Sequence, residues 1–244
     1  MEEKIAVVVG ASGGIGSAIS KKLAEEGFFT YVCCRNQTKG EEVVKQIVAD
    51  GGKAETLVFD VQSKESVKEA VNNLPCEKVD LLVNSAGVLI DDLIYNVKME
   101  NWDFVYHTNF ESVIMVYNEF EAKLKKAESP MVALLCSISG VRARSGQMCY
   151  GVTKSMLINW VKVMGGKKNG ITYFAISPGP VETEMIKSSK WYEDKKSVKR
   201  IPLSRYAKPE EIGDFITLLS QNTTLFQNGS NVILDGGFLQ TTKE

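Results

Sequence analysis

Residues 4–27 read Lys4-Ile-Ala-Val-Val-Val-Gly10-Ala-Ser-Gly-Gly-Ile-Gly16-Ser-Ala-Ile-Ser-Lys-Lys-Leu-Ala-Glu-Glu-Gly27. A β-branched apolar run, KIAVVV at 4–9, feeds a glycine-rich turn that opens directly into a segment of helical spacing at 14–26. Glycines let a backbone come close to a phosphate. A helix N-terminus behind them offers unpaired N–H groups and the positive end of its dipole. A glycine patch alone is a weak signal, but between a first strand and a first helix it predicts a pyrophosphate cradle.

The rest of the chain repeats this rhythm. Strands are predicted at 29–34, 54–59, 79–83, 131–136, 171–176 and 231–234, and helices at 38–50, 63–73, 109–126, 150–165 and 209–220. Several strands are apolar throughout, as strands covered on both faces must be. In the helix at 109–126, Val113, Val116, Tyr117, Phe120 and Leu124 fall on one stripe. The expected fold is α/β, a single-domain Rossmann-type doubly wound parallel sheet spanning residues 1–244. Between about 179 and 208 no strand pattern is visible, and Lys, Ser and isolated aromatics dominate. So long a loop in a compact domain is usually functional, and a substrate lid is the expectation.

Composition narrows the function. The 244 residues are 44 % hydrophobic and 24 % charged with a formal net charge of −1, which gives no global electrostatic case for nucleic acid or a membrane surface. Five cysteines without a C-x-x-C pair, and a single histidine, His107, supply no zinc-type ligand set and suggest free thiols in a reducing compartment. The start, MEEKIAVVVG, has too short an apolar run for a signal peptide, and no stretch reaches the ~20 apolar residues a membrane helix needs. A cytoplasmic location is expected.

Two other motifs share the glycine turn. Gly10-x-Ser12-x-Gly14 matches a hydrolase nucleophile elbow, but that site needs a histidine late in the chain, and the only one is His107. A P-loop would need Gly-Lys-Ser/Thr after the glycines, and none follows. A dinucleotide is therefore the expected ligand. An NAD site wants an acid about 20 residues further on for the ribose 2′-hydroxyl. Here the second strand ends Cys33-Cys34-Arg35-Asn36, with an arginine suited to a 2′-phosphate, so NADPH/NADP is expected over NAD.

Tyr150 and Lys154 stand four apart on a predicted helix, one turn separated on one face. A phenol is a poor acid–base catalyst near neutral pH, and a neighbouring ammonium corrects that by stabilising its anion. Ser137 lies thirteen residues upstream, at the end of a buried strand. Ser139 is the competing serine, eleven residues from the tyrosine, and reads as a loop residue. His107 reads as a solvent-side or packing histidine.

With these motifs in order, the whole chain resembles the short-chain dehydrogenase/reductase family. The resemblance rests on Gly10-x-x-x-Gly14-x-Gly16, Asn84-Ser85-Ala86-Gly87 (the family usually has Asn-Asn-Ala-Gly), Asn109, Ser137, Tyr150, Lys154 and Pro178-Gly179-Pro180-Val181-Glu182-Thr183. It implies a catalytic tetrad. Tyr150 would protonate the carbonyl oxygen as hydride arrives, Lys154 would stabilise the tyrosinate and hold ribose hydroxyls, Ser137 would bind the oxygen, and Asn109 would hold a relay water. The implied cofactor contacts are Gly10, Ser12, Gly13, Gly14, Ile15, Gly16, Arg35, Asn36, Asp60, Val61, Asn84, Ala86, Gly87, Tyr150, Lys154, Pro178, Gly179, Val181 and Thr183.

Within the family, Gly87 to Trp102 and the tail from Lys208-Pro209-Glu210-Glu211-Ile212 to Leu234-Asp235-Gly236-Gly237 are similar to 3-oxoacyl-[acyl-carrier-protein] reductases. That likeness implies a homotetramer acting on 3-oxoacyl thioesters held by an acidic acyl carrier protein. Lys123, Lys125 and Lys126 end one helix and Lys167 and Lys168 the next, and a docking patch near the active-site mouth is expected at Lys125, Lys126, Lys167 and Lys168. Lysines at helix C-termini also suit the dipole, so this patch has an ordinary explanation too. The Gly165-Gly166 pair and the basic loop Arg142-Ala143-Arg144 depart from that group's pattern. They keep two alternatives open: a ketoreductase of a specialised polyketide or polyene pathway, and a reductase of small free ketones. A dinucleotide-binding regulator without turnover would not need the complete tetrad.

Overall fold

Residues 3–90, 92–187, 192, 197–221 and 227–241 are described by the computed structural model. Seven strands form one parallel sheet in the order β3-β2-β1-β4-β5-β6-β7: β1 Ile5–Val9, β2 Phe29–Cys34, β3 Lys53–Val58, β4 Leu81–Asn84, β5 Met131–Leu135, β6 Thr172–Pro178 and β7 Ser230–Leu234. The principal helices are α1 Gly14–Glu25, α2 Gln37–Ala49, α3 Lys64–Asn72, α4 Met99–Tyr106, α5 Ser112–Leu124 and α6 Met148–Gly165, followed by the single turn α7 Glu184–Lys187 and then α8 Pro209–Gln221.

The sheet has a core on each face, set by strand alternation. Along β1, Val7 and Val9 join the layer under α3, α5 and α6 with Val113, Phe120, Leu157 and Tyr173. Ala6 and Val8 join the layer under α1, α2 and α8 with Ile19, Leu23, Ile212 and Ile216. Every strand predicted from the sequence is present, with ends shifted by a residue or two. The helices start where side chains supply caps: Asn36 Oδ1 accepts from the Lys39 N–H at 3.0 Å, and Ser63 Oγ from the Ser66 N–H at 3.2 Å.

The fourth helix begins earlier than the expected 109. It starts as α4 at Met99, passes through a π-helical turn at His107–Glu111, and continues as α5. Only Val105 of α4 is buried, so the segment carries no apolar stripe to betray it. The stripe of Val113, Val116, Tyr117, Phe120 and Leu124 is fully engaged with the sheet and leaves nothing for a neighbouring subunit.

The segment 179–208 is pinned at its ends. Val181 pairs with Ala207, the Glu182 N–H donates to the Ala207 carbonyl at 2.9 Å, and the Ala207 N–H donates to the Pro180 carbonyl at 3.0 Å. Most of the expected lid's middle, 188–191 and 193–196, lies outside the described residues.

The glycine pair at the end of α6 has a packing cause. A Cβ on Gly165 would run into the Cα of Gly229 and come within 2.5 Å of its amide nitrogen, where the chain enters β7. At Gly166 the nearest atom to a Cβ is the Val163 carbonyl oxygen at 3.4 Å, an ordinary contact. Gly165→Ala is therefore expected to lower the stability measured by urea unfolding by about 1–3 kcal/mol, and Gly166→Ala to stay within about 0.5 kcal/mol of the parent. Equal effects at the two positions would refute this account.

Candidate active site

β1 and β4 are neighbours whose crossovers leave in opposite directions, and a doubly wound sheet opens its ligand crevice at such a switch point, beyond the strand C-termini. A groove of about 460 Å³ lies there. Of the expected cofactor contacts it is lined by Gly10, Ser12, Gly13, Gly14, Ile15 and Gly16 from the first turn, and Arg35 beyond β2. Asp60 and Val61 beyond β3, Ala86 and Gly87 beyond β4, and Thr183 complete the set. Phe59, Gln62, Phe104 and Thr108 also line it, and the motifs gave no sign of them.

The local backbone suits a phosphate. Gly10 has φ +77°, a left-handed conformation, and a Cβ there would lie 2.7 Å from the Ala86 nitrogen. A Cβ on Gly16 would collide with the Gly10 carbonyl and sit 2.6 Å from Ser85 Oγ. Gly13, the N-cap of α1, makes no side-chain cap bond, and the first turn of α1 holds no acidic residue. The N-terminal end of α1 is thus held for an outside acceptor, as an anion requires. Ser85, standing where the family has asparagine, donates to the Val9 carbonyl at 2.9 Å and so ties the two turns together.

Asn36 is not brought into the groove, because its side chain caps α2. Asn84 is buried beneath it. Its Oδ1 accepts from the Ala86 N–H at 3.1 Å, while Nδ2 is buried without a partner. Such an orphaned donor costs about 1–3 kcal/mol unless a ligand or water satisfies it.

A second cavity, about 130 Å³, adjoins the groove and shares Ile15, Thr183 and Met185 with it. Ser137 and Tyr150 line it together with Pro178, Gly179 and Val181. Ser137 Oγ accepts from the Ser139 N–H at 3.1 Å, which fixes the oxygen and leaves its own proton to donate. Behind Tyr150, the Lys154 ammonium sits 5.7 Å from the ring centroid and donates to the Leu135 carbonyl at 2.7 Å. Burial pulls the Lys154 pKa below the ordinary lysine value.

Asn109 is wholly buried within the π turn. Its Oδ1 accepts from the Val88 N–H at 2.7 Å and its Nδ2 donates to the Val88 carbonyl at 2.9 Å. This side chain fixes the loop beyond β4. Gly87 is where these groups converge, since a Cβ there would lie 3.3 Å from Lys154 Nζ and 3.4 Å from Asn109 Oδ1.

Two expectations need amendment, for Ser139 and the lysines, while that for His107 stands. Ser139 is a cavity-wall residue, with its hydroxyl donating to Gln147 Oε1 at 2.8 Å. His107 is half-exposed and pairs with Glu111, in keeping with a solvent-side role. The lysines are misplaced. The Lys123 carbonyl accepts from the Val79 N–H just before β4 begins, Lys126 pairs with Glu77 at 2.6 Å, and Lys125 with Glu121 at 3.0 Å. The Lys167 charge helps hold the Glu121 carboxyl below its usual range, after the larger effect of the Lys125 hydrogen bond. The clusters do lie side by side, but on the edge where strands start. A five-residue strand separates that edge from the catalytic one by roughly 15 Å. Helices that run antiparallel to their strands put their C-termini there.

Comparison with known proteins agrees with this geometry. Residues 4–193 match the family described as short chain dehydrogenase. The 3-oxoacyl-[acyl-carrier-protein] reductase of Thermotoga maritima is 28% identical over 98% of this chain and 99% of its own length. The enzyme of the same name from Staphylococcus epidermidis strain RP62A is 30% identical over 96% and 98%. A solved putative gluconate dehydrogenase from Agrobacterium tumefaciens superposes with a TM-score of 0.91 at 26% identity, covering 98% of this chain and 97% of that one. Groove, paired serine and tyrosine, buried lysine and full-length similarity lead to one assignment: the chain is an oxidoreductase belonging to the short-chain dehydrogenase family.

Proposed function

We propose that the protein is an NADPH-dependent carbonyl reductase that converts a 3-oxoacyl group to the 3-hydroxyacyl form. The observation that carries this reading is the meeting of two cavities, one a phosphate-ready groove and the other holding Ser137 and Tyr150, at Ile15, Thr183 and Met185. The names of the two relatives support the 3-oxoacyl class.

Bound in the groove, a reduced nicotinamide supplies the hydride that ends on the carbonyl carbon. The chain supplies the rest. Ser137 donates a hydrogen bond to the carbonyl oxygen and polarises it. Tyr150 passes its phenolic proton to that oxygen as the carbon–oxygen π bond breaks, giving a secondary alcohol and a tyrosinate that solvent reprotonates. The Lys154 ammonium, with one N–H on the Leu135 carbonyl and two others to give, lowers the cost of the tyrosinate in a desolvated setting where charge acts strongly. Asn109 positions the loop carrying Gly87 and Val88.

Arg35 is the group for the 2′-phosphate. It follows β2 directly, lines the groove, and no acid stands in the Cys33-Cys34-Arg35-Asn36 stretch to bind a 2′-hydroxyl or repel the phosphate. The paired clusters Lys125, Lys126, Lys167 and Lys168, on the edge where strands start, are the surface proposed for an acidic carrier. A small free ketone is the second reading, favoured by the basic loop Arg142-Ala143-Arg144, of which Arg144 lines the cavity. In either case a second copy of the chain would cover the apolar band of Phe110, Val152, Met156, Trp160 and Val163, of which Val163 is 65% exposed.

Tyr150→Phe should lower kcat for a 3-oxoacyl thioester by about 10²–10⁴ while NADPH affinity, read by fluorescence titration, stays within a few-fold; retention of most of the kcat would end the mechanism. For Arg35, a charge-assisted pair is worth about 1.5–3 kcal/mol, so wild-type kcat/KM should favour NADPH over NADH by about ten- to a hundredfold. Arg35→Ala should erase most of that preference, and an equal loss with both cofactors would refute the assignment. Light scattering should show a dimer or tetramer at micromolar concentration, and Val163→Glu should weaken it.

A further inference from the structure

Two groove residues that no motif announced, Gln62 and Thr108, are bonded to each other: Gln62 Nε2 donates to Thr108 Oγ1 at 2.8 Å, across 46 residues of chain. Gln62 is exposed and follows β3, whereas Thr108 is buried and belongs to the π turn. The bond thus ties the turn beyond β3 to the turn that carries Asn109.

Both ends of this link are braced. The Gln62 N–H donates to Asp60 Oδ1 at 3.0 Å, and the Asp60 N–H donates to Ser66 Oγ at 3.1 Å, so the turn beyond β3 is held by its own side chains. On the other side, the Ser112 N–H reaches back to the His107 carbonyl, as π geometry requires. The Ser112 hydroxyl donates to the Thr108 carbonyl at 2.7 Å. In an α-helix that carbonyl would take the Ser112 N–H itself. Thr108 is therefore held at its carbonyl by Ser112 and at its hydroxyl by Gln62.

The residue that gains from this is the next one. Asn109 grips the Val88 N–H and carbonyl, and Val88 follows Gly87, the point where Asn109 and Lys154 converge. A continuous α-helix is the competing form of the same stretch, and each residue of register turns a side chain by about 100° around the helix axis. A change of that size would take Asn109 off Val88. Gln62 and Thr108 also line the groove, so a bound cofactor would shield their bond from water, where a hydrogen bond counts for more.

We infer that Gln62 is a positioning residue for carbonyl reduction: through Thr108 it holds the π turn in the form that keeps Asn109 on the Val88 backbone. This rests on the carbonyl-reductase reading above and adds to it a residue that acts through another. Gln62 moves no proton and touches no reacting atom. Its effect falls on the loop of Gly87 and Val88, beside the Lys154 ammonium.

The test follows reduction of a 3-oxobutanoyl thioester at saturating NADPH. Gln62→Leu should lower kcat by about tenfold, as expected when a reacting geometry slips by a fraction of an ångström. NADPH affinity, read by fluorescence titration, should stay within a few-fold, and the urea midpoint should stay near the parent because the side chain is exposed. Thr108→Val should have the same effect on kcat, and the double variant should lose no more than either single one, since each removes the same bond. Gln62→Glu should recover most of the kcat, because its carboxylate can accept the proton that the Thr108 hydroxyl still has to give. A residue that merely touched the cofactor would raise KM for NADPH and leave kcat alone, so an unchanged kcat in Gln62→Leu overturns the inference. Losses that multiply in the double variant, or no recovery in Gln62→Glu, overturn it as well. Each of these outcomes leaves the reductase reading standing. Absence of turnover in the wild-type protein, when it binds NADPH, overturns that reading and this inference with it.

Discussion

Two turns meet edge to edge at the middle of the sheet, and there is no room for a methyl group between them. The turn leaving β1 passes so close to the one leaving β4 that a Cβ on Gly10 would press on the Ala86 backbone. This contact sets the depth of the groove floor. It lets α1 begin directly beneath the phosphate position, with its first-turn N–H groups unclaimed by any side-chain cap. It also carries the loop of Gly87 and Val88 to the place where Asn109 can clamp it. A bulkier residue at position 10 would part β1 from β4 at the point where all of these are aligned.

From that floor the side chains of the candidate site are layered by depth. Asn109 and Lys154 are buried, Ser137 stands at the end of β5, and Tyr150 faces the cavity. One of the buried pair is an ammonium held by a backbone carbonyl, and burial presses on it to give up its proton. The same dry setting makes its charge count for more at the neighbouring phenol. The cost of burying a cation and the benefit of stabilising a tyrosinate thus come from one dielectric effect. The π turn around Asn109 belongs to this arrangement, since such turns are commonly found at functional sites and this one interrupts an otherwise continuous helix where the side chain must reach sideways.

Strand order, cofactor turn and the Ser137–Tyr150–Lys154 set were legible because each is carried by neighbours in sequence. An all-apolar run such as Val132–Leu135 has few fates other than a strand covered on both faces. Glycines at 10, 14 and 16 mark a turn that few other residues could make. Where partners come from distant segments, the reading failed. Asn36 was read only as a phosphate contact, and its Oδ1 also caps α2. Asn109 also clamps the Val88 backbone, which no pattern in the sequence announced. The lysines at the ends of α5 and α6 were correctly grouped but assigned to the wrong edge. The apolar stripe of α5 was legible and is buried, whereas the partly exposed band of Val152, Met156 and Val163 on α6 was not.

By itself the sequence determined the α/β class, the glycine cradle and the grouping of Ser137, Tyr150 and Lys154, since these depend on local periodicity and on spacing within one turn or one helix. Only the tertiary structure decided that Ser139 and Arg144 are cavity walls, that Gly165 is a crossing point for the entry to β7, and that the groove and the cavity join at Thr183. Each of these is a contact between segments far apart in the chain. Pattern along a chain records which face of an element is buried, but it does not record which distant backbone or side chain will come to lie against that face.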